Sequence, residues 1–237
     1  MRKIHNLSID DVIPTVQEVL VQQNMTGRAP SPRVLQLLDQ ALGIFRELAN
    51  PMGVLEDFPV GEFPELYHGN GMNAPDGPVP SVVAGADAVA VMAATMGDAL
   101  AVKSGQLFAE GSAALGYMMD AVNSSGAERL GRRMCDLFFD ELPSEIRAWE
   151  NLRVQYYCPG HCGWHISGQD KLFATLHPED IGMSVNTRWV MFPFKSISGV
   201  VVAADIEVHR FQCGFSFCPQ CRERKCVERF KLLTLGR

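Results

Sequence analysis

Four cysteines crowd the C-terminal stretch CGFSFCPQCRERKC: Cys213, Cys218, Cys221 and Cys226, separated by four, two and four residues. The central Cys-Pro-Gln-Cys is a tight knuckle of the kind that lets two thiolates chelate one ion. Arg222, Arg224 and Lys225 interleave with the cysteines. Positive charge beside sulfur lowers the thiol pKa and offsets the negative charge of a four-thiolate site. The pattern points to metal or cluster ligation ahead of unligated thiols, and zinc and an iron–sulfur cluster both accept such a set.

A second constellation is CPGHCGWHISGQD, where Cys158, His161, Cys162 and His165 fall within eight residues. They read either as further metal ligands, sharing a site with the C-terminal cysteines, or as the flanks of a Pro159-Gly160 turn whose backbone approaches a small molecule. Composition leaves both readings open. Serine- or cysteine-nucleophile chemistry is disfavoured, because no nucleophile sits on a recognisable elbow and the cysteines come in clusters. No catalytic residue is therefore assigned.

The whole chain narrows the setting. It has 237 residues, 47% of them hydrophobic, enough for one large core or two modest ones. A net charge of -6 argues against a nucleic-acid partner, since phosphate binding needs a positive surface. The N-terminal MRKIHNLSIDD lacks the apolar core of a signal peptide, and no run approaches the roughly 20 apolar residues of a membrane span. The expectation is a cytoplasmic protein without a membrane partner, in which clustered cysteines bind metal before they form disulfides. Cys135 stands apart in a helical segment, as a small buried side chain.

These residues must be positioned by two kinds of element. In SPRVLQLLDQALGIFREL, Ser31 is an N-cap, Pro32 opens the helix, and Leu35, Leu38, Leu42, Phe45 and Leu48 share one face. Gly53 to Pro80 reads as a loop or edge hairpin, and VVAGADAVAVMAAT as a buried strand that turns at Thr95 and Gly97 into a helix near Asp98. ALGYMMDAVNSSGAERLGRRMCDLFF reads as two helical pieces broken at Asn123 to Gly126, with Ser125 and Glu128 at capping-box spacing. Beyond Leu142 the period changes: LRVQYY, MSVNTRWVMF, SISGVVVAA and IEVHRFQC read as strands, with one helix over Gln169 to Leu176. The fold class is α+β: a helical N-terminal half packed on a mainly antiparallel sheet, with a Cys-rich C-terminal segment.

From Arg153 to Ala203 the chain resembles the activation domain of cobalamin-dependent methionine synthase, especially its short stand-alone relatives. The likeness is carried by the Pro159-Gly160 turn, by Gln169, Leu172 and Phe173, by IGM, and above all by VMFPFKSISG, with Met191, Pro193, Ser196, Ser198 and Gly199. VMAATMG, MMDAVNSSGAERL and LGIFRELANP extend it over most of the chain from Ser31 to Ala204. Together with the cysteine spacing, the resemblance divides the chain into three parts: an N-terminal segment 1–30, an S-adenosylmethionine-binding domain 31–212, and a metal-binding tail 213–237 packed on it.

It further implies reactivation of a corrinoid-dependent methyltransferase whose cobalt has been oxidised. One-electron reduction is coupled there to methyl transfer from S-adenosylmethionine, so that methylation removes the product of an unfavourable reduction. The implied cofactors are S-adenosylmethionine and, through a partner protein, cobalamin, to which the cysteine spacing adds an iron–sulfur cluster or zinc on Cys213, Cys218, Cys221 and Cys226. An electron donor protein is a second implied partner. For the ligand, the resemblance assigns its carboxylate to Arg153, its amino group to Glu128, and the wall of its pocket to Pro159, Gly160 and His161. The chain departs from the family in an insertion between Arg153 and Gly160, in His161 where the family has Tyr, and in the flanking cysteines. The alternatives are a zinc-stapled binding module and a thiol or metal sensor, neither with S-adenosylmethionine.

Overall fold

A computed structural model describes residues 1–25, 27, 29–68 and 70–210 of the chain. The first half opens with β1 (Arg2–Asn6), two short helices α1 (Ile9–Val12) and α2 (Val16–Gln22), and the long α3 (Pro32–Leu48). Then come β2 (Met52–Asp57), α4 (Phe63–His68), α5 (Val79–Ala84), β3 (Ala88–Thr95), α6 (Ala99–Ala109) and α7 (Ala113–Glu141). The second half holds α8 (Ser144–Arg147), β4 (Leu152–Tyr157), α9 (Gly168–Leu176), β5 (Ser184–Val185), β6 (Met191–Phe192), β7 (Ile197–Asp205) and α10 (Ile206–His209).

Five strands form one sheet in the order β1-β2-β3-β7-β4, with every neighbouring pair antiparallel. Its central strands β3 and β7 are buried on both faces, which explains their unbroken apolar sequence. Alternate residues point to opposite sides. Ala90, Met92, Ala94, Val201 and Ala203 meet the core under α3 and α7, while Val89, Val91, Ala93, Val200 and Val202 meet the core under α4, α5 and α9. The class is α+β as expected, with helices covering both faces of the sheet.

Ser31 caps α3 by accepting a hydrogen bond from Val34 N at 3.3 Å, and Leu38, Leu42 and Phe45 are buried beneath it, whereas Leu35 is exposed. The expected break at Asn123 to Gly126 is absent, because α7 runs unbroken through it. Ser125 and Glu128 therefore lie in mid-helix, and the capping-box reading of that pair is corrected. The small residues serve close approach instead. A Cβ at Gly126 would lie 2.8 Å from the Phe45 ring of α3, and one at Gly131 would lie 2.9 Å from Tyr156 of β4.

Three other expectations change. The stretch from Gly53, expected as a loop or edge hairpin, contains β2, which is paired with both β1 and β3 and so is no edge, and the helices α4 and α5. MSVNTRWVMF folds as the two-residue strands β5 and β6, and the IEVH of IEVHRFQC turns into α10 behind Asp205, whose carboxylate accepts from Glu207 N at 2.9 Å. Near the N-terminus, β1 is an edge strand of the sheet, and Val12 and Val19 are buried in the core under α3 and α7. Among the described residues no helix is long and apolar enough to cross a membrane.

Candidate functional site

A cleft of about 960 Å³ lies between α7 and the edge strand β4 and is lined as well by α2 and by the turn that follows Tyr157. That is at the upper end of the volumes usual for small-molecule sites. Glu128 enters it from α7, Arg153 from β4, and Pro159 and His161 from the turn. Gly160 sits between the last two, so the structure brings the expected ligand-binding residues to one place. Cys213, Cys218, Cys221 and Cys226 lie outside the described residues. Among the described residues no group of three or more His, Cys, Asp or Glu side chains is arranged to hold a metal ion.

The turn is double. His161 N donates to the Cys158 carbonyl at 3.2 Å across Pro159 and Gly160, whose φ of +91° is the left-handed value that a type II turn demands and glycine supplies. Trp164 N then donates to the His161 carbonyl at 2.9 Å across Cys162 and Gly163, both at positive φ, and Gly160 N closes the pair by donating to the Trp164 carbonyl at 2.7 Å. Cys158, His161 and Cys162 all line the cleft as a result.

Behind the turn stands the Gly- and Pro-rich loop. Asn73 Oδ1 accepts from His165 N at 2.8 Å, its Nδ2 donates to the Tyr67 carbonyl at 2.5 Å, and Ala74 N donates to the Gly163 carbonyl at 2.8 Å. Asn73→Ala removes two of these bonds and is expected to cost about 1 to 2 kcal/mol in urea unfolding. Asn73→Asp, which keeps the acceptor for His165, should lose about half of that. Equal stability of all three proteins would show that the turn holds itself.

Arg153 is anchored on its own strand: Nη1 donates to the Leu152 carbonyl at 2.7 Å and to the Glu150 carbonyl at 3.3 Å. The guanidinium makes no other hydrogen bond among the described residues. Glu128 Oε2 lies 3.7 Å from Arg132 Nη2 one turn along α7, and Arg132 Nη1 lies 3.3 Å from Glu18 Oε1.

Glu18 was not singled out in the sequence. Its signal there is Thr15-Val-Gln-Glu18, a capping box that opens α2. The same carboxylate takes a second hydrogen-bond donor from α7, Arg129 Nη1 at 3.2 Å. Burial pushes the Glu18 carboxyl up, but the Thr15 hydrogen bonds and the charges of Arg129 and Arg132 outweigh it and hold the group below its ordinary value. The cleft thus has a carboxylate-and-arginine wall on the helical side, and Arg153 with backbone polar groups on the strand side.

The motif residues from β6 to β7 also reach the cleft. Met191, Ser196 and Ser198 border the cleft; Ser198 Oγ donates to Gln169 Oε1 at 2.5 Å, with both residues buried, and so ties β7 to the first turn of α9. Ser196 shares a hydrogen bond of 2.9 Å with Thr95 Oγ1 and donates to the Pro193 carbonyl at 2.6 Å. Thr95 Oγ1 in turn accepts from Gly97 N at 3.1 Å, so the strand-to-helix corner closes on itself.

No protein-family model matches the sequence, and no curated protein matches it. Among solved structures, the fold is similar to the crystal structure of the MetH reactivation domain bound to AdoHcy, with a TM-score of 0.61 and 14% sequence identity, over 100% of this chain and 91% of that one. At that identity the likeness establishes the architecture: the chain has the fold of a methionine synthase reactivation domain, which is the fold the sequence resemblance implies.

Proposed function

We propose that the cleft between α7 and β4 binds S-adenosylmethionine, and that the protein supports reductive methylation of the cobalt centre of a corrinoid-dependent methyltransferase. The observation that carries this reading is the placement of Glu128, Arg153, Pro159 and His161 around one cleft. AdoHcy, held by the structural neighbour, is what S-adenosylmethionine becomes after giving up its methyl group.

The chemistry of the walls suits such a ligand. Its carboxylate needs a fork of N–H donors, which Arg153 presents beside a stiff strand. Its ammonium and sulfonium groups need negative charge, and Glu128 stands on the facing helix. Trp149, half exposed on the cleft wall, offers a face on which the adenine can stack. The Pro159-Gly160-His161 turn lines the pocket with backbone in place of bulky side chains. When the ligand is bound, its sulfonium supplies the methyl group and a reduced corrinoid accepts it. The tasks of this chain are to orient the donor and to dock the corrinoid protein. In this reading Cys213, Cys218, Cys221 and Cys226 hold a metal or cluster, and an electron donor protein or that cluster supplies the electron.

Calorimetric titration of S-adenosylmethionine into the full chain, purified without oxygen, tests the reading. Saturable one-to-one binding, with AdoHcy as a competitor, is the expected result. A flat titration on folded protein would remove S-adenosylmethionine from the account.

A further inference from the structure

Arg132 has two carboxylates within reach and hydrogen-bonds the one more distant in sequence. Glu128 stands one helical turn before it on α7, in the order in which a glutamate and a cation stabilise a helix. Yet Glu128 Oε2 lies 3.7 Å from Arg132 Nη2, beyond hydrogen-bond distance. Arg132 Nη1 donates instead at 3.3 Å to Oε1 of Glu18, 114 residues away on α2. All three side chains border the cleft.

Glu18 is itself fixed from its own side. Its Oε2 accepts from Thr15 N at 2.8 Å, from Thr15 Oγ1 at 3.0 Å and from Arg129 Nη1 at 3.2 Å. Oε1 is left to Arg132, with Arg129 Nη1 at a longer 3.5 Å. Burial opposes the charge, but the Thr15 hydrogen bonds and the two arginines hold the carboxyl below its ordinary value, so it is ionised at neutral pH. The Glu18 side chain is 25% exposed, against 42% for Glu128. The better-held and less solvated carboxylate therefore wins the arginine, and Glu128 keeps the weaker share of it.

We propose that Glu18 is a positioning residue: it holds Arg132 off Glu128 and so reserves the Glu128 carboxylate for the cationic group of the ligand. The inference deepens the function proposed above and rests on its pairing of Glu128 with the ligand's ammonium. Without the Glu18 charge, Arg132 needs only a side-chain rotation to close on Glu128. An arriving ammonium would then have to displace a guanidinium from the oxygen it needs. Glu18 acts through Arg132, from a second element, on a carboxylate that it does not touch.

Glu18→Gln tests this with little damage to the fold, because glutamine keeps an oxygen for Thr15 N and completes a capping box as glutamate does. AdoHcy titrated calorimetrically into the full chain should bind Glu18→Gln about threefold to fivefold more weakly, the worth of a partly exposed ion pair. In an Arg132→Gln background the same change should cost nothing, since no guanidinium remains to turn. 5′-Methylthioadenosine, which lacks the ammonium, should bind all four proteins equally. In the ligand-free protein, Glu128→Gln should lower the urea midpoint of Glu18→Gln more than that of the natural chain, because Arg132 then has Glu128 as its partner. An equal loss of AdoHcy affinity with and without Arg132 would overturn the proposal, as would a matching loss for methylthioadenosine or an equal effect of Glu128→Gln in both backgrounds. If the natural chain binds no AdoHcy, the urea comparison still decides: unequal shifts would uphold the hold of Glu18 on Arg132 and remove only the ligand, and equal shifts would remove both.

Discussion

Arg153→Ala is expected to weaken S-adenosylmethionine binding by roughly tenfold to a hundredfold, because a charge-assisted hydrogen bond is worth about 1.5 to 3 kcal/mol and each 1.4 kcal/mol is a factor of ten. The guanidinium is already oriented by the Leu152 and Glu150 carbonyls, so little side-chain entropy remains to be lost when a carboxylate arrives. The loss should therefore appear almost wholly in affinity. Stability should change by less than about 1 kcal/mol, since the lost bonds are partly exposed and the β4 backbone keeps its pairing with β7. Arg153→Lys keeps the charge without the fork and should fall between the two. Calorimetry on the three proteins, with urea unfolding as control, decides the matter. Unchanged affinity in Arg153→Ala would move the carboxylate to the opposite wall, where Arg132 is the cation held between Glu18 and Glu128.

Unbroken apolar runs made β3 and β7 legible in the sequence, the β-branched and aromatic run LRVQYY did so for β4, and a cap with a 3.6-residue period did the same for α3. The mid-helix run Asn123-Ser-Ser-Gly126 was misleading, because residues that often break helices also let helices approach a neighbour closely. Local sequence cannot tell the two apart, since the Phe45 ring that Gly126 admits belongs to a helix about 80 residues earlier. The strand β2 was hidden for a related reason. It holds only six residues, starts on Met52-Gly53, and is fixed by partners on both sides more than by its own propensity. Among the residues that line the cleft, Glu128, Arg153, Pro159 and His161 are singled out by their motif positions. Glu18 is not: its capping role is local and visible, whereas its pairing with Arg129 and Arg132 depends on how α2 lies on α7. Asn73 escaped similarly, as a loop residue whose partners are backbone atoms of Tyr67 and His165.

Gly199→Ala is expected to have the largest effect on the fold. A Cβ there would lie 2.2 Å from the Tyr157 carbonyl oxygen, 3.0 Å from its carbon and 3.2 Å from the Cys158 Cα, all of them backbone atoms. Backbone of a paired strand cannot swing aside as a side-chain tip can, so β4 must shift at its junction with the double turn. The cost should reach the upper end of that for overpacked cores, about 3 kcal/mol. Gly53→Ala is a calibrating contrast. A Cβ at Gly53 would come within 2.4 Å of Met134, but the atom it meets is the sulfur of a flexible thioether, which can repack for about 1 kcal/mol. The two variants should also differ in binding. Displacing Tyr157 and Cys158 moves the start of the turn that lines the ligand cleft, so Gly199→Ala should lose S-adenosylmethionine affinity even where it is still folded, whereas Gly53→Ala should keep it. Urea midpoints and calorimetry on both proteins separate these outcomes. Similar stability losses for the two would mean that the β4 junction yields as readily as a methionine, and the turn would then be too loosely held to set the geometry of the cleft.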